Sequence, residues 1–510
     1  MPRYAAVDIG SNSVRLQVAE QLHGAAPRIL ASERQVTRLG ESVFRSGRIS
    51  ADAMELTCEV LAGMAGNYRG FEVLGIRAVA TAAVRDASNQ IEFIERASAA
   101  VQAPVEIISA AEESRLVHLG VQCRWPHPSK RILIVDIGGG SGELIFSENG
   151  RIVASFSRPL GAVRLKEMFL HSDPPAEDEL RHMDEYIEEK LAAARKRMGG
   201  IKVDRVIATS ATAAAVVCAV NRIPRAERDT ADRLRASATQ VRKLYAAVSG
   251  CSLARRRKMT GIGLRRAEII VPGVALLRRV LDDFKLPSLF YSTAGVRDGV
   301  IADLVARGTG RERSELSRDQ RRTVQELGRR YSVSPTHARK VAELAHSLFD
   351  LLHDLHRLAP EEGRLLQAAA LLHDTGHYVS DTRHHKHSYY LVANSDLPGF
   401  TERERNIVAN LCRYHRKSMP TALHPNYQSL PPEDQRVVLL LSPLLRLADA
   451  LDRSRNQIVE RLSCQIRNTE VTLELHCQGN PDLELWAAGR VADLFREIYT
   501  YRLLLAKVLR

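Results

Sequence analysis

The chain has 510 residues, too many for one hydrophobic core, and at roughly 150 residues per domain it is expected to form three or four. Apolar residues make up 45% and charged residues 26%, with 31 Gly and 20 Pro, a balance that fits a folded globular protein and argues against long disordered stretches. No run approaches ~20 strongly apolar residues, so no membrane span is expected. The seven Cys are scattered without a CxxC pair, which excludes a disulfide scaffold or zinc ribbon and, with no apolar leader core after Met1, points to the cytoplasm.

Charge and histidine are unevenly spread. The formal net charge is +13, and residues 251–340 alone hold 20 Lys/Arg against 9 Asp/Glu. A polyanionic partner follows as an expectation. Eleven of the 17 His lie between His337 and His424.

In chain order, the first third alternates strands and helices. Strands are predicted at 4–9, 14–19, 72–80 and 104–108, with helical patterns at 51–66 and 91–100, an α/β layout. Residues 125–129 (WPHPS) read as a linker. A second α/β unit has strands at 131–137, 143–147, 151–156 and 203–209, helices at 177–198 and 211–220, and a last strand near 288–293. From about residue 311 amphipathic helices dominate: 336–358, 362–374, 386–394, 401–415 and 434–453. A strand at 471–477 and a closing helix from about 490 complete the chain. The expected domains are 1–125, 126–310, 311–456 and 457–510.

The most informative feature is an internal near-repeat. Asp8-Ile9-Gly10-Ser11-Asn12-Ser13 recurs, 128 residues later, as Asp136-Ile137-Gly138-Gly139-Gly140-Ser141. Each copy follows an apolar strand and precedes another, so each turn joins two strands, whereas a Walker loop would open a helix. Glycines let backbone N–H groups approach a phosphate, and Ser or Asn side chains add donors. An Asp at the strand end can hold a hard cation such as Mg²⁺ directly or through water. Arg85 could grip a phosphate. Glu112 and Glu113 open a helix, where they either favour its N-terminus electrostatically or supply a general base for water.

These segments, with ATAAVRDASN (80–89), VEIISAAEESRLVHLGV (105–121), VPGVALL (271–277), AGVRDGV (294–300), HSYYLVANSDLPGF (387–400) and RYHRK (413–417), resemble the exopolyphosphatase/guanosine pentaphosphate phosphohydrolase (Ppx/GppA) family. The resemblance implies two ribonuclease-H-like domains of the actin and sugar-kinase superfold, an HD-like helical domain, a small α+β unit and a homodimer. It implies that Glu113 activates the attacking water, that Asp136 and Glu143 hold Mg²⁺, and that Asp8 supports the ion at one remove. Gly10, Ser11, Asn12, Ser13, Arg85, Gly138, Gly139, Gly140 and Ser141 are the implied phosphate contacts. The implied reaction is hydrolysis of the terminal phosphoanhydride of inorganic polyphosphate, or of guanosine pentaphosphate. One departure is that Ala208-Thr209-Ser210-Ala211-Thr212 stands where the family has a glycine-containing turn, which argues against tight nucleotide binding.

In the helical part, His337, His373-Asp374, His387, His415 and Asp449 follow the order H…HD…H…H…D. This order resembles the HD phosphohydrolase domain, which implies a second divalent metal. His353-Asp354 is a decoy, too close to His337 to lie on a second core helix. Arg255, Arg256, Arg257, Lys258, Arg265 and Arg266 are expected to form a track for a long polyanion. A nucleic-acid partner is argued against because aromatic residues are only 5% and the basic runs contain almost none for base stacking. A binding protein without turnover, and an HD-centred phosphohydrolase or metal sensor, are the competing function classes.

Overall fold

The computed structural model describes residues 1–509 apart from 23–25, 128–129, 199 and 309. They form two compact units, Met1–Val305 and Ala306–Arg510.

The first unit contains two sheets of mixed α/β build. Strands β1 (Arg3–Ile9), β2 (Val14–Glu20), β3 (Arg28–Gln35), β4 (Gly75–Ala80) and β5 (Val105–Ile107) form one sheet, in the order β3-β2-β1-β4-β5. The second contains β6 (Arg131–Ile137), β7 (Gly142–Glu148), β8 (Arg151–Arg158), β9 (Arg205–Thr209), β10 (Arg235–Ser237) and β11 (Ser288–Tyr291), in the order β10-β11-β9-β6-β7-β8. In each sheet three strands run as an antiparallel meander, after which the chain returns parallel to the first strand. The repeat seen in sequence is thus a repeat of winding, and the unit is the actin-like two-domain α/β arrangement. The β7–β8 turn falls at Asn149-Gly150, both with positive φ (51° and 72°), as a two-residue hairpin of matching twist requires.

Helices Ala110–Arg124 and Val296–Ala306 join the halves. Leu116, Val300 and Ile301 pack with Tyr4, Ala6 and Val79 of the first sheet, while Val117 and Val121 pack with Ile132, Ile134 and Ile207 of the second. The two helices cross where neither has a side chain. A Cβ on Gly120 would lie 2.4 Å from Gly295 O, and one on Gly299 would lie 1.8 Å from Leu116 O.

Residues 125–129 are no loose linker where they are described. Trp125 packs on His127 (4.8 Å between ring centres) and Phe290, with Arg205 over its face. Pro128 and Ser129 lie outside the described residues.

In the second unit the helices Pro335–Leu351, Pro360–Leu372, Glu402–Tyr414 and Pro432–Ala450 form the centre of one core. The final residues add a sheet of β12 (Val459–Arg467), β13 (Glu470–Cys477) and β14 (Arg502–Leu509), in that order. Val471, Leu473, Leu475 and Phe495 belong to the same core as the helices, so 457–510 is not a separate core. The closing helix expected from about 490 stops at Tyr499. Thr500 takes φ 63°, and Arg502–Leu509 pairs parallel to β13 along its whole length. Leu, Ala and Lys favour helix, but an unpaired β13 edge overrides that preference.

Candidate functional site

The two glycine loops are built alike. Gly10 N–H donates to Ser13 O at 3.2 Å, and Gly138 N–H donates to Ser141 O at 3.0 Å. They also touch: a Cβ on Gly139 would stand 2.9 Å from Ser11 Cβ, and one on Gly140 2.9 Å from Ser11 Oγ. Glycine here is a condition for bringing two backbones together. Both loops line one cleft with Asp8, Asp136, Glu113 and Thr81.

The neighbouring residues Glu112 and Glu113 separate cleanly. Ser109 Oγ accepts from Glu112 N–H (3.2 Å), which starts the helix. Glu112 turns into a buried ionic network: Arg77 reaches it at 3.0 Å and Asp303 at 3.1 Å, and Arg115 binds Glu112 at 2.8 Å and Asp303 at 2.7 Å. Glu113 faces the cleft. Burial, reinforced by the charges of Asp136 and Asp8, raises its pKa to about 7 against the pull of Arg85. A carboxylate with that pKa is matched to proton transfer at neutral pH.

Asp8, Asp136 and Glu143 are also raised, each chiefly by burial, and Glu143 is pushed well up with added repulsion from Glu113 and Asp136. Ser157 Oγ donates to one Glu143 oxygen at 3.0 Å. The other, Glu143 Oε2, and Asp136 Oδ1 are buried with no hydrogen-bond partner. Two orphaned carboxylate oxygens among four repelling acids fit a hard divalent cation.

Arg85 stands apart from the other expected phosphate contacts. Its guanidinium donates to Ile108 O at 2.6 Å and approaches Glu113 at 3.5 Å, so it lies behind the candidate base and outside the cleft lining. The expected basic track is also displaced. Arg256 is buried against Asp173 (2.6 Å), Arg257 pairs with Glu268 (3.0 Å), and Arg255 and Lys258 are exposed and line no part of the cleft. Arg266 does line it.

Several lining residues were not among the expected site residues: Arg15, Ser210, Arg228, Tyr291 and Arg297. Arg15 had a signal, because the offset of 128 pairs it with Glu143. Ser210, in the turn lacking glycine, takes φ 72°, so the backbone conformation glycine would supply is kept by a strained serine. Its hydroxyl donates to Ile137 O at 2.8 Å.

The second unit holds a cluster of its own. His337 Nε2 lies 3.3 Å from Asp449 Oδ1, and His373 Nε2 lies 3.5 Å from the same oxygen and 3.4 Å from Asp374 Oδ1. His337 Nδ1 bonds Asp452 at 2.8 Å, which orients the ring, and both Nε2 atoms are buried without a hydrogen-bond partner. Asp374 Oδ1 is shared with His377 (3.4 Å) and His384 (3.9 Å), and His384 Nε2 is 3.2 Å from His415 Nε2. Burial opposes a charge on His373, but Asp374 and Asp449 outweigh it and raise its pKa to about 9; burial and the neighbouring His373 push His415 down to about 3.

His387 is outside this cluster, and His384 with His377 stands where it was expected. The helix His384–Ala393 begins with its buried residues His384, His385 and Ser388 facing inward. His387 comes two residues after His385 and just before Ser388, which turns it about 200° and about 100° of helix away from those buried side chains, and it is half-buried. The decoy pair is exposed, with Asp354 at 94%.

A family model described as the Ppx/GppA phosphatase family matches residues 17–307, and one for Ppx/GppA phosphatase, domain III, matches residues 320–484. The crystal structure of the Ppx/GppA family member of Aquifex aeolicus is 30% identical, covers 61% of this chain and 99% of its own, and has a TM-score of 0.54. An exopolyphosphatase from Cytophaga hutchinsonii is 25% identical, covers 59% of this chain and 97% of its own, and has a TM-score of 0.56. With two matching loops, a shared cleft and the matched span of more than half its length, the chain belongs to the Ppx/GppA phosphatase family and is a phosphoanhydride phosphatase.

Proposed function

We propose that the protein is an exopolyphosphatase, which removes the terminal phosphate of inorganic polyphosphate by direct attack of water. The observation that carries this reading is Glu113, a buried carboxylate with a pKa of about 7 facing two glycine loops in one cleft. Glu113 takes the proton of the attacking water. The loop N–H groups, with Ser11, Ser13 and Ser141, orient the terminal phosphoryl group and receive charge as it develops on the oxygens. Asp136 and Glu143, with Asp8 close by, would hold Mg²⁺, which supplies charge neutralisation of the phosphates when bound. Guanosine pentaphosphate ends in the same phosphoanhydride and is the competing substrate. The test is phosphate release with Mg²⁺ from long-chain polyphosphate in competition with guanosine pentaphosphate. No release from polyphosphate, or undiminished release by Glu113→Gln, overturns the reading.

A second reading concerns the Ala306–Arg510 unit. The convergence of His337, His373, Asp374, His384, His415 and Asp449, with two buried imidazole nitrogens left unpaired, supports a divalent metal centre of the kind the HD resemblance implies. Metal content of the purified full chain is expected to drop in His373→Ala and Asp374→Ala. Unchanged content removes the site.

A further inference from the structure

A groove of about 410 Å³ opens on the surface of the second unit. Its apolar lining is Val324, Val333, Pro335, Ala338 and Leu371, drawn from the helices Arg318–Arg330, Pro335–Leu351 and Pro360–Leu372 and the connection at Val333. The polar lining is Gln325, Arg329 and Arg339. The volume is that of a small-molecule site, roughly 300–1,000 Å³. Val324, Ala338 and Leu371 are buried and both arginines are exposed, so an apolar floor lies under a cationic rim.

A glycine keeps the floor open. Gly328, also in the lining, stands in the last turn of the helix Arg318–Arg330 without a positive φ. A Cβ there would meet only ordinary contacts, Leu371 O and Val333 Cβ, each at 3.7 Å. Neither backbone conformation nor close approach requires glycine at this point. Glycine is a poor helix former, and the side chain it omits would enter the groove, so helix stability is given up for space. The rim is left with positive charge. Arg329 Nε donates to Gln325 O at 3.4 Å and Arg339 Nε to Pro335 O at 2.9 Å, each on its own helix, and neither forms an ion pair among the described residues. The nearby acids serve other cations: Glu326 pairs with Arg322 at 4.0 Å and Glu343 with Lys340 at 3.3 Å.

We propose that this groove binds a small amphiphilic anion, an apolar ring or chain that carries one carboxylate, sulfonate or phosphate head. The apolar part lies on Val324, Ala338 and Leu371, in the space that Gly328 leaves, and the stems of the arginines extend that wall. The head meets Arg329 and Arg339, whose guanidinium groups offer donors only. A cation is repelled by the rim, and a neutral apolar molecule gains the floor alone. An inorganic polyanion gains the rim alone, which separates this site from the cleft of the first unit. The proposal depends neither on the reading of that cleft nor on the metal reading of the histidine cluster.

The probe is 8-anilinonaphthalene-1-sulfonate, an aromatic body with one anionic head, titrated into the full chain and read by fluorescence. N-phenyl-1-naphthylamine, the same body without the sulfonate, is the neutral control. Saturable binding is expected, about tenfold tighter for the sulfonate, and Arg329→Gln and Arg339→Gln are each expected to weaken the sulfonate about tenfold, as loss of one charge-assisted hydrogen bond does, while leaving the neutral dye unchanged. Gly328→Leu fills the groove and removes both dyes. Gly328→Ala raises the Tm, because the fold does not need the glycine. Equal affinity for the two dyes, or unchanged sulfonate affinity in both arginine variants, overturns the proposal. So does dye binding undiminished by Gly328→Leu, which places it elsewhere, or a lowered Tm in Gly328→Ala. A shift of the dye-free Gly328→Leu chain to a smaller species on size exclusion also overturns it, because a second copy then fills the groove.

Discussion

Arg15 and Glu143 occupy the same station in the two halves of the repeat. Arg15 lies directly across the ladder from Asp8, and Glu143 directly across from Asp136. One duplicated hairpin therefore presents an acid with a base, and the other presents two acids. Asp8, Arg15 and Asp136 line the cleft, whereas Glu143 is buried outside its lining; the two acids of the second hairpin suit a cation and the arginine of the first suits the phosphates that accompany it.

Glu113→Gln keeps the shape of the side chain and removes its basicity. Phosphate release is expected to fall by about 10²–10⁴-fold, the range for loss of a general base. The fall should appear in kcat, with KM little changed, and circular dichroism should match the parent.

The acid cluster gives a pH signature. Glu113 is raised from 4.5 to about 7, and Asp8, Asp136 and Glu143 are raised as well. Carboxyls with a higher pKa in the folded state keep protons that the unfolded chain has lost, so their contribution falls as pH rises from about 4.5 towards 7. A bound cation offsets the repulsion. The Tm difference between Mg²⁺ and EDTA is expected to widen across that window in the parent, and to narrow in Glu143→Gln. A difference independent of pH in the parent contradicts the assignment.

Asp303→Asn removes one acid from the buried network of Arg77, Arg115 and Glu112. Taking one partner from a buried ion pair costs about 3–5 kcal/mol. Urea unfolding should show a lower midpoint, with Arg77 and Arg115 left short of negative charge.

Gly299→Ala tests the helix crossing. The new Cβ would stand 1.8 Å from Leu116 O, and backbone cannot yield as a flexible side chain does. A large fall in Tm, or insoluble protein, is expected, whereas Gly66→Ala, where nothing lies within 4 Å, should be neutral or slightly stabilising.

The duplicated loops were legible because their chemistry is local: glycine, serine and aspartate at fixed spacing between apolar strands. The helices of the second unit were legible from their periodicity. Strand β3 was not, because its RILASERQ sequence is an edge with no buried face to impose alternation. Arg228 lies far from the loops in sequence, and only the fold carries it to the cleft. His384 was passed over for His387 because sequence order cannot show which side of a helix faces a cluster. Between Glu112 and Glu113 the residues alone left helix start and general base open, and the resemblance pointed to Glu113; the place of Glu112 in the network of Arg77 and Arg115 was not readable from the sequence.

Glu112 is tied through Asp303 to the Val296–Ala306 helix, and Glu113, the next residue, looks into the cleft. The ion pairs that fasten the two crossing helices and the candidate base thus share one turn of helix, so a change that loosens those pairs reaches Glu113 through its own backbone.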